Sequence, residues 1–358
     1  MSWFRSYLSD RYQFVEYQNS KSSHLRIQTG VPQGSILGPL LFNIYINDIY
    51  MASSIFDFIL YADDATLTCS PQKLLPLVSS ERTLSDIINN ELNKIYQWLL
   101  TNKLSLNVSK SKFMVFHSPQ KSIASLETLQ LKINDIPLYK TSEFDYLGTV
   151  ITETVSWKSH INKICNKLAR TIGILKRLKY TLPLNALILL YNSLFISVIN
   201  FSNLVWGLNK TDRIIKLQKK AIRTICKEKY NAHTEPLYKK LNLLNFNDIV
   251  KLRALQFYFK YSNNLLPSYF KGIYSLDSSN HYYNTREKHN SRLQVSKKIF
   301  TSRCIRYHVP DLLKITPSDL LSKINTHSIG GFTNYTKNYF LSGYQKDCTI
   351  ANCYVCNK

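Results

Sequence analysis

Apolar and polar positions in this chain follow two different periods, and the change from one to the other divides it. Residues 55–61 (IFDFILY) and 65–69 (ATLTC) are β-branched and aromatic, which predicts two strands flanking a tight Ala-Asp-Asp connection. Phe113 to Phe116 and Phe144 to Ile151 predict further strands. Between them Leu84, Ile87, Ile88, Leu92, Ile95 and Leu99 recur at helical spacing, which predicts a helix over 80–102. The first 28 residues open on an amphipathic segment read as a helix starting almost at Met1, followed by a polar turn at Asn19–Ser23.

From about Trp157 the period becomes helical throughout. His160, Ile164, Leu168 and Ile172 form one face with Lys163, Lys167 and Arg170 between them, and residues 213–227 and 248–260 repeat this basic amphipathic pattern. Beyond about residue 270 the chain is polar, aromatic and weakly periodic, and no element is predicted there. The expected fold class is α+β, an antiparallel sheet with helices followed by a mostly helical part. Three domains are expected, over 1–151, 152–270 and 271–358.

Charge sharpens this division. The chain of 358 residues carries a formal net charge of +23. Residues 1–150 hold 13 basic and 13 acidic side chains, whereas residues 151–358 hold 33 basic and 10 acidic ones. The first part is a neutral unit that keeps acids for chemistry, and the second is a surface suited to phosphate backbones. Hydrophobic content of 44% permits real cores and excludes disorder as a class.

Seven scattered cysteines and no apolar signal segment at the N-terminus point to a reducing intracellular setting. Residues 180–209 carry no charge, yet they hold many Asn and Ser residues and Pro183, so a buried helix pair is expected and no membrane span. At the C-terminus Cys348, Cys353 and Cys356 supply three zinc ligands where a closed site wants four, so zinc is not expected.

Two features carry chemistry. Asp63 and Asp64 are adjacent carboxylates on an apolar hairpin, where their like charges repel unless something compensates. A divalent cation removes that penalty, and Mg2+ suits carboxylate oxygens together with substrate phosphates; Mn2+ is the alternative ion. The bland reading is that both are turn formers. Upstream, Gly30, Gly34, Gly38, Pro32 and Pro39 punctuate ten residues and force a loop, with Pro39 suited to the first turn of the helix that follows.

Together, GVPQGSILGPLLFNIYIND from Gly30 and YADD at Tyr61–Asp64 resemble the reverse transcriptases of LINE-type (non-LTR) retrotransposons. The likeness extends through LSLNVSKSKFMVFH at 104–117 and DYLGTVITETVSWKSHI at 145–161. It continues more weakly through 192–207 and 283–295. Group II intron and telomerase enzymes are the alternatives within polymerases, and the wording GVPQGSILGPLLF with SWKSHI favours the LINE class.

The resemblance implies a partial right-hand polymerase: a palm over 1–151, a basic helical thumb over 152–270, and a C-terminal region of uncertain fold. It implies RNA-directed DNA polymerisation, a two-metal nucleotidyl transfer from a primer 3′-hydroxyl to a dNTP on an RNA template. Asp63 and Asp64 become metal ligands, with Asp63 the stronger. Gln33 and Gly34 face template and nucleotide, although Gln33 reads equally as a loop-stabilising amide. Tyr61 packs under the primer end, or is a core tyrosine.

Lys110, with Lys112 beside it, is a candidate proton donor to pyrophosphate or a surface lysine. Gly148 sits in a primer-grip hairpin, where it permits close approach to the primer. The family's third carboxylate lies in an upstream motif that this sequence does not contain, so an N-terminally truncated chain, inactive by itself, is expected. The alternative is a non-catalytic nucleic-acid-binding remnant. Action in the nucleus is expected of the whole element, and oligomeric state is not readable.

Overall fold

The computed structural model describes residues 2–32, 34–79, 83–120, 129–209, 211–274 and 304–345. It is a mixed helix and strand protein, α+β in class, with small two-stranded sheets; five of the six described pairings are antiparallel and one is parallel. The chain packs as two compact units, Met1–Ser142 and Glu143–Lys358.

The first unit opens with helix α1 (Ser2–Leu8), which buries none of its residues. The helix stops at Ser9, and Asp10 takes a left-handed conformation (φ 50°) that turns the chain into strand β1 (Arg11–Gln13). The helix is therefore shorter than the amphipathic pattern suggests. Strand β1 pairs with β4 (Leu25–Ile27), and β2 (Glu16–Tyr17) pairs with β3 (Ser20–Lys21) through a turn at Gln18-Asn19. Both turn residues have positive φ, as a type I′ hairpin requires. The turn thus lies one residue before the polar run that predicts it.

Helix α2 (Leu37–Ile46) follows the glycine-rich loop, with Pro39 in its first turn as expected. Strands β5 (Asp57–Tyr61) and β6 (Asp64–Thr68) form the predicted hairpin. Helix α3 (Leu84–Thr101) starts at a capping box in which Thr83 and Asp86 satisfy each other's backbone N–H groups. It buries Ile87, Ile88, Leu92 and Ile95, with Leu84 and Leu99 half-buried, so the predicted face is the observed one.

The strand expected over Phe113–Phe116 is shorter than its pattern. Only β7 (Lys112–Phe113) is paired, in parallel with β10 (Tyr139–Lys140). Strands β8 (Lys132–Ile133) and β9 (Ile136–Pro137) form a further hairpin. Buried Asn89 ties α3 to this region by donating to Gln130 O at 3.2 Å and accepting from Lys132 N at 2.9 Å.

The second unit begins with the hairpin of β11 (Glu143–Tyr146) and β12 (Thr149–Thr152), which packs with helices of this unit. Helix α4 (Lys158–Leu178) buries Ile161, Ile164, Leu168, Ile172 and Leu175 along one stripe. Residues 180–209 form two helical segments of unequal length. The first is a run of α5 (Leu184–Tyr191), a π-helical turn at Asn192–Ile196 and a last helical turn at Ser197–Asn200; after a break at Phe201-Ser202 a single turn spans Asn203–Trp206. Ser193 Oγ donates to Leu189 O at 2.9 Å and Ser197 Oγ to Ser193 O, so hydroxyls back-bond along the run where its hydrogen-bond ladder changes.

Among the described residues no helix is long and apolar enough to cross a membrane. Helices α6 (Asp212–Cys226), α7 (Glu235–Lys240) and α8 (Phe246–Ser262) complete a core around fully buried Trp206, Tyr191, Phe195 and Phe246. Within that core Gln218 donates to Tyr191 Oη at 2.9 Å and to Leu244 O at 3.1 Å. Beyond residue 270, helices α9 (Ile305–Ile315) and α10 (Ile329–Ser342) pack on α8. Tyr344 closes the arrangement by donating to Asp248 Oδ2 at 2.6 Å.

Candidate functional site

The β5–β6 hairpin separates its two faces cleanly. Register places Phe58 opposite Leu67 and Leu60 opposite Ala65, and Phe58, Leu60 and Leu67 pack on Ile46, Ile49 and Ile95. The other face presents Tyr61, Asp64 and Ile59 to solvent, with Thr66 opposite Ile59 half-buried. A two-stranded hairpin is marginal in water, so the apolar underside is what holds this one.

Its tip is a two-residue turn, Ala62-Asp63, and Asp64 already belongs to the ladder. Ala62 stands at φ 51°, in the left-handed region, which costs a residue with a Cβ about 1–2 kcal/mol. Positive φ at the first turn residue alone is the type II′ pattern, and it fits strand twist. The strained turn carries Asp63 and the first ladder residue carries Asp64, both exposed. Tyr61 is 64% exposed, which excludes the core-tyrosine reading.

The glycine-rich loop is built by distant residues. Tyr7 of α1 donates to Ser35 Oγ at 2.7 Å, and that hydroxyl donates to Pro32 O at 2.8 Å while accepting the Gly38 N–H at 3.1 Å. Arg11 Nη2 donates to Gly30 O at 2.6 Å. Gly34 has φ 80°, a conformation only glycine adopts freely, and no atom stands where its Cβ would be, so its backbone is open to a ligand. At Gly38 a Cβ would stand 3.0 Å from Ser35 Oγ and 3.3 Å from Val31, so a glycine is needed for the loop to close on α2. Neither Tyr7 nor Arg11 carries a local signal, because each partner is 19 or more residues away in sequence. Gln33 lies outside the described residues.

Helix α2 and the hairpin lean on the same apolar cluster, to which α2 contributes Phe42 and Ile46. A second anchor is Glu91 on α3, buried, which accepts from Ser53 Oγ at 2.6 Å and from Lys94 Nζ at 2.5 Å. Burial opposes ionisation of this carboxyl, but the Lys94 and Ser53 hydrogen bonds prevail and hold it below the usual carboxylate range.

Lys110 ends a short 3-10 turn capped by Asn107 Oδ1, and its side chain is exposed. Among the described residues it forms no ion pair with Asp63 or Asp64. Lys112 is exposed at the start of β7. Gly148 belongs to the second unit, in a Leu147-Gly148 turn with both φ positive (46° and 84°). Cys348, Cys353 and Cys356 lie outside the described residues.

Among the described residues no cluster of three or more His, Cys, Asp or Glu is placed to hold a metal ion. What the tip offers is two adjacent, solvent-facing carboxylates. That donor set fits Mg2+, which keeps several waters and takes one or two carboxylates plus substrate phosphate oxygens.

Residues 1–151 match the family described as reverse transcriptase (RNA-dependent DNA polymerase). The chain is 26% identical over 260 residues to a probable RNA-directed DNA polymerase from transposon BS of Drosophila melanogaster, covering 67% of this chain and 27% of that protein. It is 23% identical over 258 residues to the RNA-directed DNA polymerase from mobile element jockey of the same species, covering 68% and 27%. It is also 28% identical over 154 residues to a retrovirus-related Pol polyprotein from type-1 retrotransposable element R1 2 of Nasonia vitripennis, covering 41% and 35%. The chain therefore spans about a third or less of these relatives' length.

Proposed function

We propose that the reverse transcriptase domain carried by residues 1–151, of the kind found in non-LTR retrotransposons, serves RNA-directed DNA polymerisation through the carboxylates of Asp63 and Asp64. The observation that carries this reading is the hairpin tip. It combines a strained Ala62, two exposed acids and an apolar underside that fixes them.

In this reading 1–151 is a polymerase palm, 152–270 a thumb, and the substrates are an RNA template, a DNA primer and dNTPs. Asp63 and Asp64 would hold Mg2+, or Mn2+ in its place. When bound, such ions supply charge neutralisation on the phosphates and a lowered pKa for the primer hydroxyl.

The chain's own side chains do the rest. The bare backbone at Gly34 lets template and nucleotide approach, and Gln33 contributes an amide beside it. Tyr61 shares the exposed face with its rung partner Asp64 and forms the platform under the primer end. Lys110 donates a proton to the leaving pyrophosphate. The Gly148 turn meets the primer backbone. The basic second unit holds the duplex through its phosphates, with the steep salt dependence that counterion release imposes.

The test is primer extension and duplex binding, measured on the full chain and on Asp63→Asn. Loss of incorporation by about 100-fold or more with duplex binding retained assigns the carboxylate to catalysis. Equal loss of both sinks the assignment, because the carboxylate is then structural. Tight, salt-sensitive binding by the unaltered chain without incorporation fits the inactive polymerase fragment expected from the sequence and the alternative, a nucleic-acid-binding remnant, alike.

A further inference from the structure

The β11–β12 hairpin is gripped at a single rung. Its turn, Leu147-Gly148, is closed by the Tyr146–Thr149 pair, and the next rung pairs Asp145 with Val150. Hydrogen-bonded and non-hydrogen-bonded rungs alternate in an antiparallel ladder, so a two-residue turn leaves the Asp145–Val150 rung with its N–H groups pointing outward. The outward Val150 N–H finds His160 Nδ1 at 3.1 Å. On the opposite strand, the Asp145 carboxylate pairs with Lys163. His160 and Lys163 are three apart on α4, hence on one helix face, and each holds one strand of the same rung.

The imidazole is itself fixed from behind. His160 is 2% exposed, with the Trp206 ring edge-on at 5.5 Å and the Trp157 ring at 6.4 Å. Trp206 Nε1 donates to Phe201 O at 2.9 Å, and a Cβ on Gly148 would stand only 3.2 Å from the Phe201 ring. The contacts close a circuit from His160 through Trp206 and Phe201 to the hairpin tip and back through Val150. A backbone N–H at Nδ1 requires an unprotonated acceptor there, so the ring is neutral with its proton on Nε2. Among the described residues Nε2 is buried without a hydrogen-bond partner. The charged groups facing the ring are Lys163 and Lys167 on its own helix and Asp145 on the hairpin; the segment Asn203–Trp206 adds none.

We infer that His160 is a positioning residue: in its Nε2–H tautomer it holds the Leu147-Gly148 turn in the pose that receives the primer, with Lys163 clamping the opposite strand. The primer half of this statement rests on the function proposed above; the grip does not. Burial, seconded by Lys163, lowers the imidazole pKa, which keeps the acceptor in place at neutral pH.

The test uses the full chain and three variants. Asn puts its amide oxygen near the position of Nδ1, whereas Gln carries it one bond further out. With His160→Gln, amide exchange at Val150 is expected to speed up by about tenfold or more, and with His160→Asn to stay within about threefold of the unaltered chain. Lys163→Met, which leaves the histidine in place, is expected to speed exchange at the turn and serves if His160→Gln does not fold. Nitrogen shifts of His160 are expected to report a bare Nδ1 and a protonated Nε2.

Unchanged Val150 exchange in His160→Gln, or an imidazolium at neutral pH, overturns the grip. The second readout is preference for a recessed primer terminus over a blunt duplex of equal length. It is expected to fall about tenfold in His160→Gln and to be retained in His160→Asn. Faster Val150 exchange with that preference intact overturns the primer role alone, and with it the reading of this hairpin at the primer, while leaving Asp63 untouched.

Discussion

Of the hairpins with two-residue turns, β5–β6 and β11–β12 are held by opposite means. The β5–β6 hairpin lies on an apolar cluster through Phe58, Leu60 and Leu67, and its acids face water. The β11–β12 hairpin is held through polar contacts, an imidazole on a backbone N–H and a lysine on a carboxylate. Apolar packing is non-directional and insensitive to pH, so it holds the tip while leaving its acids free to face water. Hydrogen bonds are directional and depend on protonation, so they fix an angle and make it conditional. The tips differ accordingly: Ala62 alone stands at positive φ in the first, whereas Leu147 and Gly148 both do in the second.

The comparison breaks most visibly at Phe58. Phe58→Ala removes half-buried aromatic surface from the first hairpin and is expected to cost about 2 kcal/mol of stability. Denaturant unfolding would read the loss, and amide exchange should place it in residues 1–142 while leaving the β11–β12 hairpin at its original protection.

Acid separates the hairpins next. The folded chain binds a proton at His160 less readily than the unfolded one, because burial first and Lys163 second lower its pKa. The stability that neutral His160 contributes is therefore complete above the ordinary imidazole value of about 6.5 and falls as the pH drops below it. His308, also lowered by burial, acts in the same direction, so the difference between the unaltered chain and His160→Asn isolates the hairpin. Between about pH 7 and pH 5, Val150 is expected to lose protection while the ladder opposite Phe58 keeps it. Equal loss in both hairpins would contradict the contrast.

The smallest effects lie at the turns and should differ in sign. Gly148→Ala forces a Cβ into the left-handed region against Phe201 and is expected to destabilise by about 1–2 kcal/mol. Ala62→Gly relieves a similar conformation but restores backbone entropy to the unfolded chain, leaving a gain of about 0.5 kcal/mol or less. Thermal unfolding of the pair checks both; destabilisation by Ala62→Gly would mean that the methyl group packs in a way its exposure does not reveal.

Most of what runs along one element was legible in sequence. The α3 face, the β5 and β6 strands, Pro39 in the first turn of α2 and the basic stripe of α4 follow from periods of 3.6 and 2, which are properties of the backbone itself. The adjacency of Asp63 and Asp64 and the exposure of a turn were likewise fixed locally. Element ends were not: Met114 to Phe116 have strand composition but no strand partner among the described residues, and the uncharged run at 180–209 divides unequally, into a long helical run with a π turn and a single turn at Asn203–Trp206.

The tertiary structure alone decided the contacts that give these elements a purpose. Tyr7 and Arg11 reach the glycine-rich loop across 28 and 19 residues of sequence. Glu91 stays ionised in a buried setting through Lys94, three residues on, and through Ser53, 38 residues away, which only the fold brings to it. Tyr61 is exposed because its strand turns the other face to the core. His160 sits where periodicity expects a core residue, and it is buried as expected. Only the fold revealed that its Nδ1 meets the outward N–H of one rung, since a hydrogen bond depends on where two chain segments meet and not on the spacing within either.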